Sequence, residues 1–342
     1  MKTQSTASTI SLPKTYQALI LESIGVIRVA ELPLPSLAPG DLLVQVKAAT
    51  TCGTDLKAYR RGHPQIPMPG GFGHEYAGIV ATTGAGAKFH VGDPIMGVHT
   101  APCQSCRWCK KGQENLCETI MDTKVLGSFA EYLRIPARIA NLNVFLKPDT
   151  ISYAQAALLE PLACVTQGLQ EVNFDTVRNA LVIGPGAIGL MFAKMLQTRG
   201  IETILLGRSP ARLDVARQME LTTAQFSNPP QKSSFDLVVE CTGTKEIWEM
   251  SPQWSAKGGQ IVLFGGLPSG TEVSFDSGKL HYDQITLLSP FHFGSDAVKI
   301  AYDALKTLDL SPLISGKRKI CDAKAVFDDL ASGKGVKYVL TS

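Results

Sequence analysis

Along the chain the hydrophobic rhythm changes once. From Tyr16 to about Pro136, short apolar segments such as "LLVQVKAAT", "YAGIVAT" and "FAEYLRIP" are broken by the turn signals "APGD" and "VGDP". That pattern predicts a small, irregular β-barrel or sandwich. After "LKPDTISYAQAALL" the segments lengthen. "NALVIGPGAIGLMFAKMLQTRGIETILLGR" reads as an apolar strand, a Gly-rich turn, a helix and a second strand. Further strands follow at "FDLVVECTG", "GQIVLFGG" and "QITLLS", with helical stretches between them, which predicts a doubly wound parallel sheet covered on both faces. The fold class is α/β. Residues 1–14 read as a disordered tail, 15–160 as the β-rich domain and 161–293 as the doubly wound one. The segment 294–342, with a helix "DAVKIAYDALKTL" and a final apolar run "KYVLT", fits either domain by pattern alone.

Composition narrows the class. A chain of 342 residues that is 44% apolar and 18% charged has material for two cores. A net charge of +3 implies no nucleic-acid and no membrane partner. No apolar run approaches the ~20 residues of a membrane span, and "MKTQSTASTISLPK" lacks the apolar stretch of a secretory signal. A soluble, cytoplasmic protein is expected, in which clustered cysteines are metal ligands more often than disulfides.

Four of the eight cysteines cluster as "CQSCRWCKKGQENLC". Cys103, Cys106, Cys109 and Cys117 place two successive C-x-x-C spacings and a short return loop within reach of one ion. Four sulfurs suit a closed tetrahedral zinc site with a folding role, in a loop over 102–117. Arg107, Lys110 and Lys111 would offset the thiolate charge. An iron–sulfur cluster or redox pair is the other reading, but no Pro or fourth close cysteine completes a ferredoxin run. Cys52, Cys164, Cys241 and Cys321, taken singly, read as small buried apolar side chains.

"GPGAIG" directly follows an apolar strand and opens a helix, the context a dinucleotide fingerprint requires. Gly184 permits the tight turn, Gly186 lets a pyrophosphate approach, and Gly189 lets helix and strand pack closely. Ala187 and Ile188 begin the helix whose free N–H groups face the phosphates. An NAD site carries an acidic residue about 20 positions on; here the next strand ends "LLGRSPAR". Arg208, Ser209 and Arg212 suit a 2′-phosphate, so NADP is expected over NAD. Solvated surface arginines are the bland alternative.

"TCGTDLKAY", "GFGHEYAG" and "LLEPLACV" hold Cys52, Thr54, Asp55, His74, Glu75 and Glu160. A Cys, a His and a carboxylate make an open zinc site, although each alone has a structural explanation. With "CGTD", "GHE", the cysteine loop, "EPL", "GPGAIG", "ECTG" and "FGG" in order along nearly the whole chain, the sequence resembles the zinc-dependent medium-chain dehydrogenases of the alcohol, sorbitol and threonine dehydrogenase group. That resemblance implies a GroES-like catalytic domain interrupted by a Rossmann domain, with 294–342 returning to the catalytic domain. It implies two zinc ions per chain, the catalytic one on Cys52, His74 and either Glu75 or Glu160. Adjacent strand residues face opposite ways, so His74 and Glu75 together would need an irregular backbone. Asp55 would orient His74, and Cys241 and Thr242 would line the cofactor. The implied reaction is hydride transfer between a secondary alcohol or ketone (a polyol, sugar alcohol or amino alcohol) and NADP(H). The Thr54 hydroxyl would pass the proton outward. Many relatives continue that relay with a histidine where Lys57 stands here; His63 reads as an exposed loop residue. The implied assembly is a homodimer or homotetramer. A quinone or enoyl reductase of the same fold would usually lack the "GHE" and "EPL" ligands. A non-catalytic NADPH-binding protein would not need them.

Overall fold

The computed structural model describes residues 12–342, so most of the expected tail lies outside the described residues. The broken apolar segments form eight short strands, β1 (Thr15–Ser23), β2 (Val26–Pro33), β3 (Leu42–Thr50), β4 (Gly70–Gly71), β5 (Glu75–Thr83), β6 (Pro94–Gly97), β7 (Tyr132–Ile135) and β8 (Val144–Leu146). β1 pairs with β2 and with β4; β3 pairs antiparallel with β5 and β7, and β6 and β8 follow beyond β5. Side chains alternate as the pleat requires. Leu42, Val44 and Val46 enter a core with Tyr76, Val80 and Ile95, whereas Leu43 joins a small cluster with Ala81 and Tyr132.

The second region holds six parallel strands, β9 (Asn179–Ile183), β10 (Glu202–Gly207), β11 (Thr222–Gln225), β12 (Phe235–Glu240), β13 (Ser255–Leu263) and β14 (Thr286–Leu288), in the order β11-β10-β9-β12-β13-β14. Both faces are covered. Ala180, Val182 and Val239 pack with Leu190 and Phe192, while Leu181, Ile183 and Val238 pack with Ile247 and Trp254. Burial on both sides is why "ALVI" is apolar at every position. Strand order reverses between β9 and β12, which opens the crevice where such sheets bind ligands.

The helix Ser295–Leu305 lies against the helix Leu159–Gln170, where the Thr166 hydroxyl donates to the Ala297 carbonyl at 2.7 Å. Beyond it, β15 (Ile314–Lys319) runs parallel to β16 (Lys337–Thr341), and β16 pairs antiparallel with β3 through Val339–Thr50 and Leu340–Ala49. The helix Ala323–Ala331 sets Phe327 against Phe72, ring centroids 5.1 Å apart. This last segment therefore completes the sheet and core that begin at the other end of the chain.

Among the described residues, no helix is long and apolar enough to cross a membrane. The expectation of four buried apolar cysteines outside the loop is corrected. Cys321 is exposed, in the turn Ile320–Asp322, and Cys52, Cys164 and Cys241 are half-buried.

Candidate active site

Cys52 immediately precedes the helix Gly53–Arg61, and its Sγ accepts the Thr54 N–H at 3.4 Å. Asp55 reaches back with Oδ2 to the Cys52 N–H at 3.1 Å, and its Oδ1 lies 3.1 Å from His74 Nδ1. That contact assigns the proton to Nδ1 and leaves Nε2 as the ligand atom. Gly73, at φ 87°, turns the chain just before His74, and β5 begins only at Glu75. A side chain at Gly73 would meet Ser128 Oγ at 2.6 Å. His74 thus precedes the pleat, and strand alternation does not separate it from Glu75. The ligand atoms of Cys52, His74 and Glu75 lie within 4.8 Å of one another; Glu160, in the first turn of its helix, falls outside the cluster.

The donors suit a cation. Burial disfavours a charged His74, yet the Asp55 carboxylate and the Cys52 sulfur outweigh it and hold its pKa well above the usual imidazole value. The same field favours a dication on Nε2. Thiolate, imidazole and carboxylate are the donor set of an open zinc site. Glu75 does not stand free: Lys337 Nζ lies 2.6 Å from both of its oxygens and donates to the Thr51 carbonyl at 2.7 Å. The Thr50 hydroxyl bonds the same carboxylate. Burial would lower the Lys337 pKa, but the adjacent Glu75 raises it; burial in turn pushes Glu75 up to about 7, against the pull of the Lys337 ammonium.

Three residues here were not anticipated from the sequence: Lys337, His99 and His292. His99 Nδ1 stands 3.2 Å from Glu160 Oε1, off the line of a good hydrogen bond. The His99 ring centroid is 5.0 Å from that of His74 and 5.5 Å from that of His292. Burial would raise the Glu160 pKa; His99 and the neighbouring histidines bring it down to about 2. The sequence signals are faint: a histidine four residues before Cys103, another after the last parallel strand, and a lysine heading a final apolar run. Thr54 and Lys57 are half-buried on the helix after Cys52. His63 is half-buried rather than exposed, its Nδ1 accepting the Gln65 N–H at 3.2 Å.

In the cysteine lobe the four sulfurs lie within 4.8 Å of one another, with Cys103–Cys109 at 3.9 Å and Cys106–Cys109 at 3.5 Å. Sulfurs about 2.3 Å from a tetrahedral zinc stand about 3.8 Å apart, so the lobe fits that ion. Cys103 Sγ accepts the Ser105 and Cys106 N–H groups at 3.4 and 3.2 Å, and Cys117 Sγ accepts the Cys103 N–H at 3.2 Å. The cations expected to offset the thiolates are placed differently. Arg107 stacks on Trp108 and pairs with Glu118 at 3.4 Å, and Lys111 lies over the same ring. Arg138 instead reaches Cys117 Sγ, at 3.7 Å from Nη2.

At the crevice of the parallel sheet, Gly184 has φ 110° and a side chain there would meet Thr242 Cγ2 at 2.9 Å. Gly186 opens onto free space, whereas a Cβ on Gly189 would lie 1.9 Å from the Gly184 carbonyl. Ala187 and Ile188 start the helix Ala187–Thr198, and the Cys241 N–H donates to the Ile183 carbonyl at 2.8 Å, holding the next strand end alongside. Arg208 follows β10, lies over the Phe226 ring and stands 3.6 Å from Glu246. Ser209 precedes the helix Pro210–Gln218 without capping it through its side chain. Arg212, in the helix Pro210–Gln218, donates from Nε to the Gly335 carbonyl at 3.2 Å.

Comparison with known proteins fits this geometry. Residues 38–145 match the family model of the alcohol dehydrogenase GroES-like domain, and residues 187–307 that of the zinc-binding dehydrogenases. An L-threonine 3-dehydrogenase of Deinococcus deserti is 31% identical over 93% of this chain and 96% of its own length. A D-altritol 5-dehydrogenase of Agrobacterium fabrum is 34% identical over 76% of this chain and 79% of its own length. Among solved structures, a zinc-binding dehydrogenase of Sinorhizobium meliloti 1021 bound to NADP superposes with a TM-score of 0.87 at 27% identity, covering 96% of this chain and 100% of that one. The chain therefore belongs to the zinc-dependent medium-chain dehydrogenases, oxidoreductases that work with a nicotinamide cofactor.

Proposed function

We propose that the protein interconverts a secondary alcohol and its ketone, the alcohol belonging to a polyol, sugar alcohol or amino alcohol, with NADP(H) as hydride carrier and two zinc ions per chain. One observation carries this reading. The loop after β14 brings His292, from the carboxyl side of the nucleotide sheet, to 5.5 Å from His99, whose ring is 5.0 Å from the candidate ligand His74. The carboxyl side of the nucleotide sheet therefore reaches the neighbourhood of the candidate metal ligands. The names of the relatives, a threonine and an altritol dehydrogenase, support substrates with more than one polar group.

When bound, zinc would supply Lewis acidity at the alcohol oxygen and the nicotinamide would serve as the hydride acceptor, so that oxidation of the alcohol to ketone also releases one proton. The chain's part is positional. Cys52 and His74 hold the metal, with Glu75 the nearer carboxylate and Glu160 the more distant one. Asp55 fixes the His74 ring, and Lys337 opposes the burial that would neutralise Glu75. Thr54, two residues beyond Cys52, passes the alcohol proton outward. Gly184, Gly186 and Gly189, with Ala187 and Ile188, receive the pyrophosphate; Cys241 and Thr242 border it. Cys103, Cys106, Cys109 and Cys117 hold the second zinc. In this reading residues 15–160 and 294–342 form the catalytic domain around a dinucleotide domain of 161–293. A homo-oligomer is supported by the edge strand β14, which carries exposed Leu287 and is flanked in sequence by exposed Tyr282 and Phe291.

Arg208 and Ser209 carry the preference for NADP(H), because no carboxylate follows β10 to repel a 2′-phosphate. A second reading, with NAD, rests on Glu246, whose carboxylate lies 3.6 Å from Arg208 and neutralises it. The test is kcat/KM for both cofactors at one saturating alcohol. At least a tenfold preference for NADP⁺, roughly 1.4 kcal/mol, is expected in the wild type, reversed by Arg208→Asp. Equal values in the wild type favour the second reading.

A further inference from the structure

Resting on that reading, we propose that His292 contacts the substrate and selects for a second polar group, a hydroxyl or amine beside the reacting carbinol, and that Glu114 and Asn115 of the cysteine lobe are positioning residues for it. His292 has φ 57°, a left-handed conformation that side-chain-bearing residues seldom adopt unless their surroundings impose it.

The surroundings here impose it at every step. Asn115 Nδ2 donates to the Phe291 carbonyl at 3.1 Å, and Glu114 Oε2 accepts the Ser295 N–H at 2.9 Å. Gln167 Oε1 accepts the Gly294 N–H at 2.9 Å, and Gly294 is so close that a Cβ on it would lie 3.1 Å from Glu114 Cβ. The His292 ring stacks on Phe293 with centroids 4.0 Å apart. A crossover from a strand to a helix needs none of these clamps. Two of them come from the short turn Glu114–Leu116, which runs directly into Cys117. The metal lobe thereby holds a loop of the other domain.

What the clamps hold is a polar ring at the cleft. His292 Nε2 is 2.7 Å from Thr100 Oγ1, and Nδ1 is the ring's remaining polar atom. Burial, reinforced by His99, pushes its pKa down to about 3, so the imidazole stays neutral. A neutral ring offers a hydrogen bond without a charge, which suits a hydroxyl or uncharged amine. A substrate lacking that group leaves the ring unpaired in a partly desolvated site, the circumstance in which enzymes discriminate best between analogues.

The experiment compares 2,3-butanediol with 2-butanol, which differ by one neighbouring hydroxyl, using zinc-loaded enzyme and NADP⁺. His292→Asn preserves the left-handed backbone, which Asn tolerates, but is too short to bridge from Thr100 to a ligand. It should lower kcat/KM for the diol at least five times more than for 2-butanol. Asn115→Ala, with two zinc ions retained, should raise KM for the diol selectively and by less. Parallel losses on both alcohols, or no loss, overturn the inference while leaving the dehydrogenase reading intact. Absence of turnover by the wild type on any alcohol overturns both.

Discussion

The two cysteine-containing clusters are built in opposite ways. In the lobe, the first and last sulfurs are 14 positions apart, and most of the N–H groups that face them belong to the same loop. At the Cys52 centre, ligand candidates come from a helix start and a strand start, and Lys337, which balances Glu75, stands 262 positions away from it. The lobe is half-exposed and local; the centre is buried and assembled. A local cluster depends on its ion for shape, because little else constrains it. An assembled cluster is shaped by the scaffold, since Asp55–His74 and Lys337–Glu75 hold it whether or not metal is bound.

The strongest way to break this contrast is His74→Ala. Losing the metal's several kcal/mol of charge stabilisation should cut kcat by roughly 10³-fold or more. Zinc should fall from two equivalents to one, while binding of the reduced nicotinamide cofactor, followed by fluorescence, persists. Near-normal turnover in that variant would remove the centre from the Cys52 cluster. Next in size is Lys337→Met, which strands the Glu75 carboxylate. With side-chain exposures of 2% and 0%, the pair is fully enclosed, and breaking it should cost about 3–5 kcal/mol in urea unfolding. Adding Glu75→Gln should restore much of that loss. If the single variant is as stable as wild type, the scaffold does not depend on this pair.

Cys106→Ser sharpens the other side. Zinc should again fall to one equivalent, but now with a lowered Tm, roughly 2–4 °C for each kcal/mol lost. An unchanged Tm with one zinc missing would mean that the lobe does not need its ion. The smallest effect serves as a control for buried charge without metal. Asp41 is buried, which would raise its pKa, but N–H groups of Ala38 and Ala137 and the Arg134 guanidinium hold it below the usual carboxylate value. A depressed carboxylate stabilises the fold above its unfolded pKa and loses that contribution as pH falls through the folded value. Asp41→Asn should therefore lower stability by about 1–3 kcal/mol at pH 7. The gap should begin to narrow below about pH 4 and close only once the pH has passed the depressed folded value. A gap that does not narrow at all between about pH 5 and pH 2 would rule out the charge as its source.

Legibility in the sequence followed the same division. The apolar run before "GPGAIG", the helix after it and the cysteine spacing were readable because each is decided within a dozen or so residues. Cys52, His74 and Glu75 were nameable as candidates, but their meeting point depends on Gly73 turning the chain, which no spacing rule announces. His99, His292 and Lys337 were invisible because their partners lie far away in the chain. Nor do β11, "TTAQ", and β15, "ISGKRK", carry an apolar signature, since both are sheet edges. Counting nearby cations pointed to Arg107, Lys110 and Lys111, whereas the fold brings Arg138 to the sulfur and gives Arg107 and Lys111 an indole to cover.

The distance between Glu75 and Lys337 also sets a timetable. A ribosome adding 5–20 residues per second needs roughly 13–50 s to pass from one to the other. Throughout that interval the nascent first region contains a carboxylate whose Lys337 partner has not been made, and β3 lacks the neighbour that β16 supplies. The doubly wound sheet, by contrast, has all six of its strands once Leu288 has emerged. On that account the middle of the polypeptide is expected to complete its sheet before the part made earliest does, an order that pulse-labelled hydrogen exchange would read.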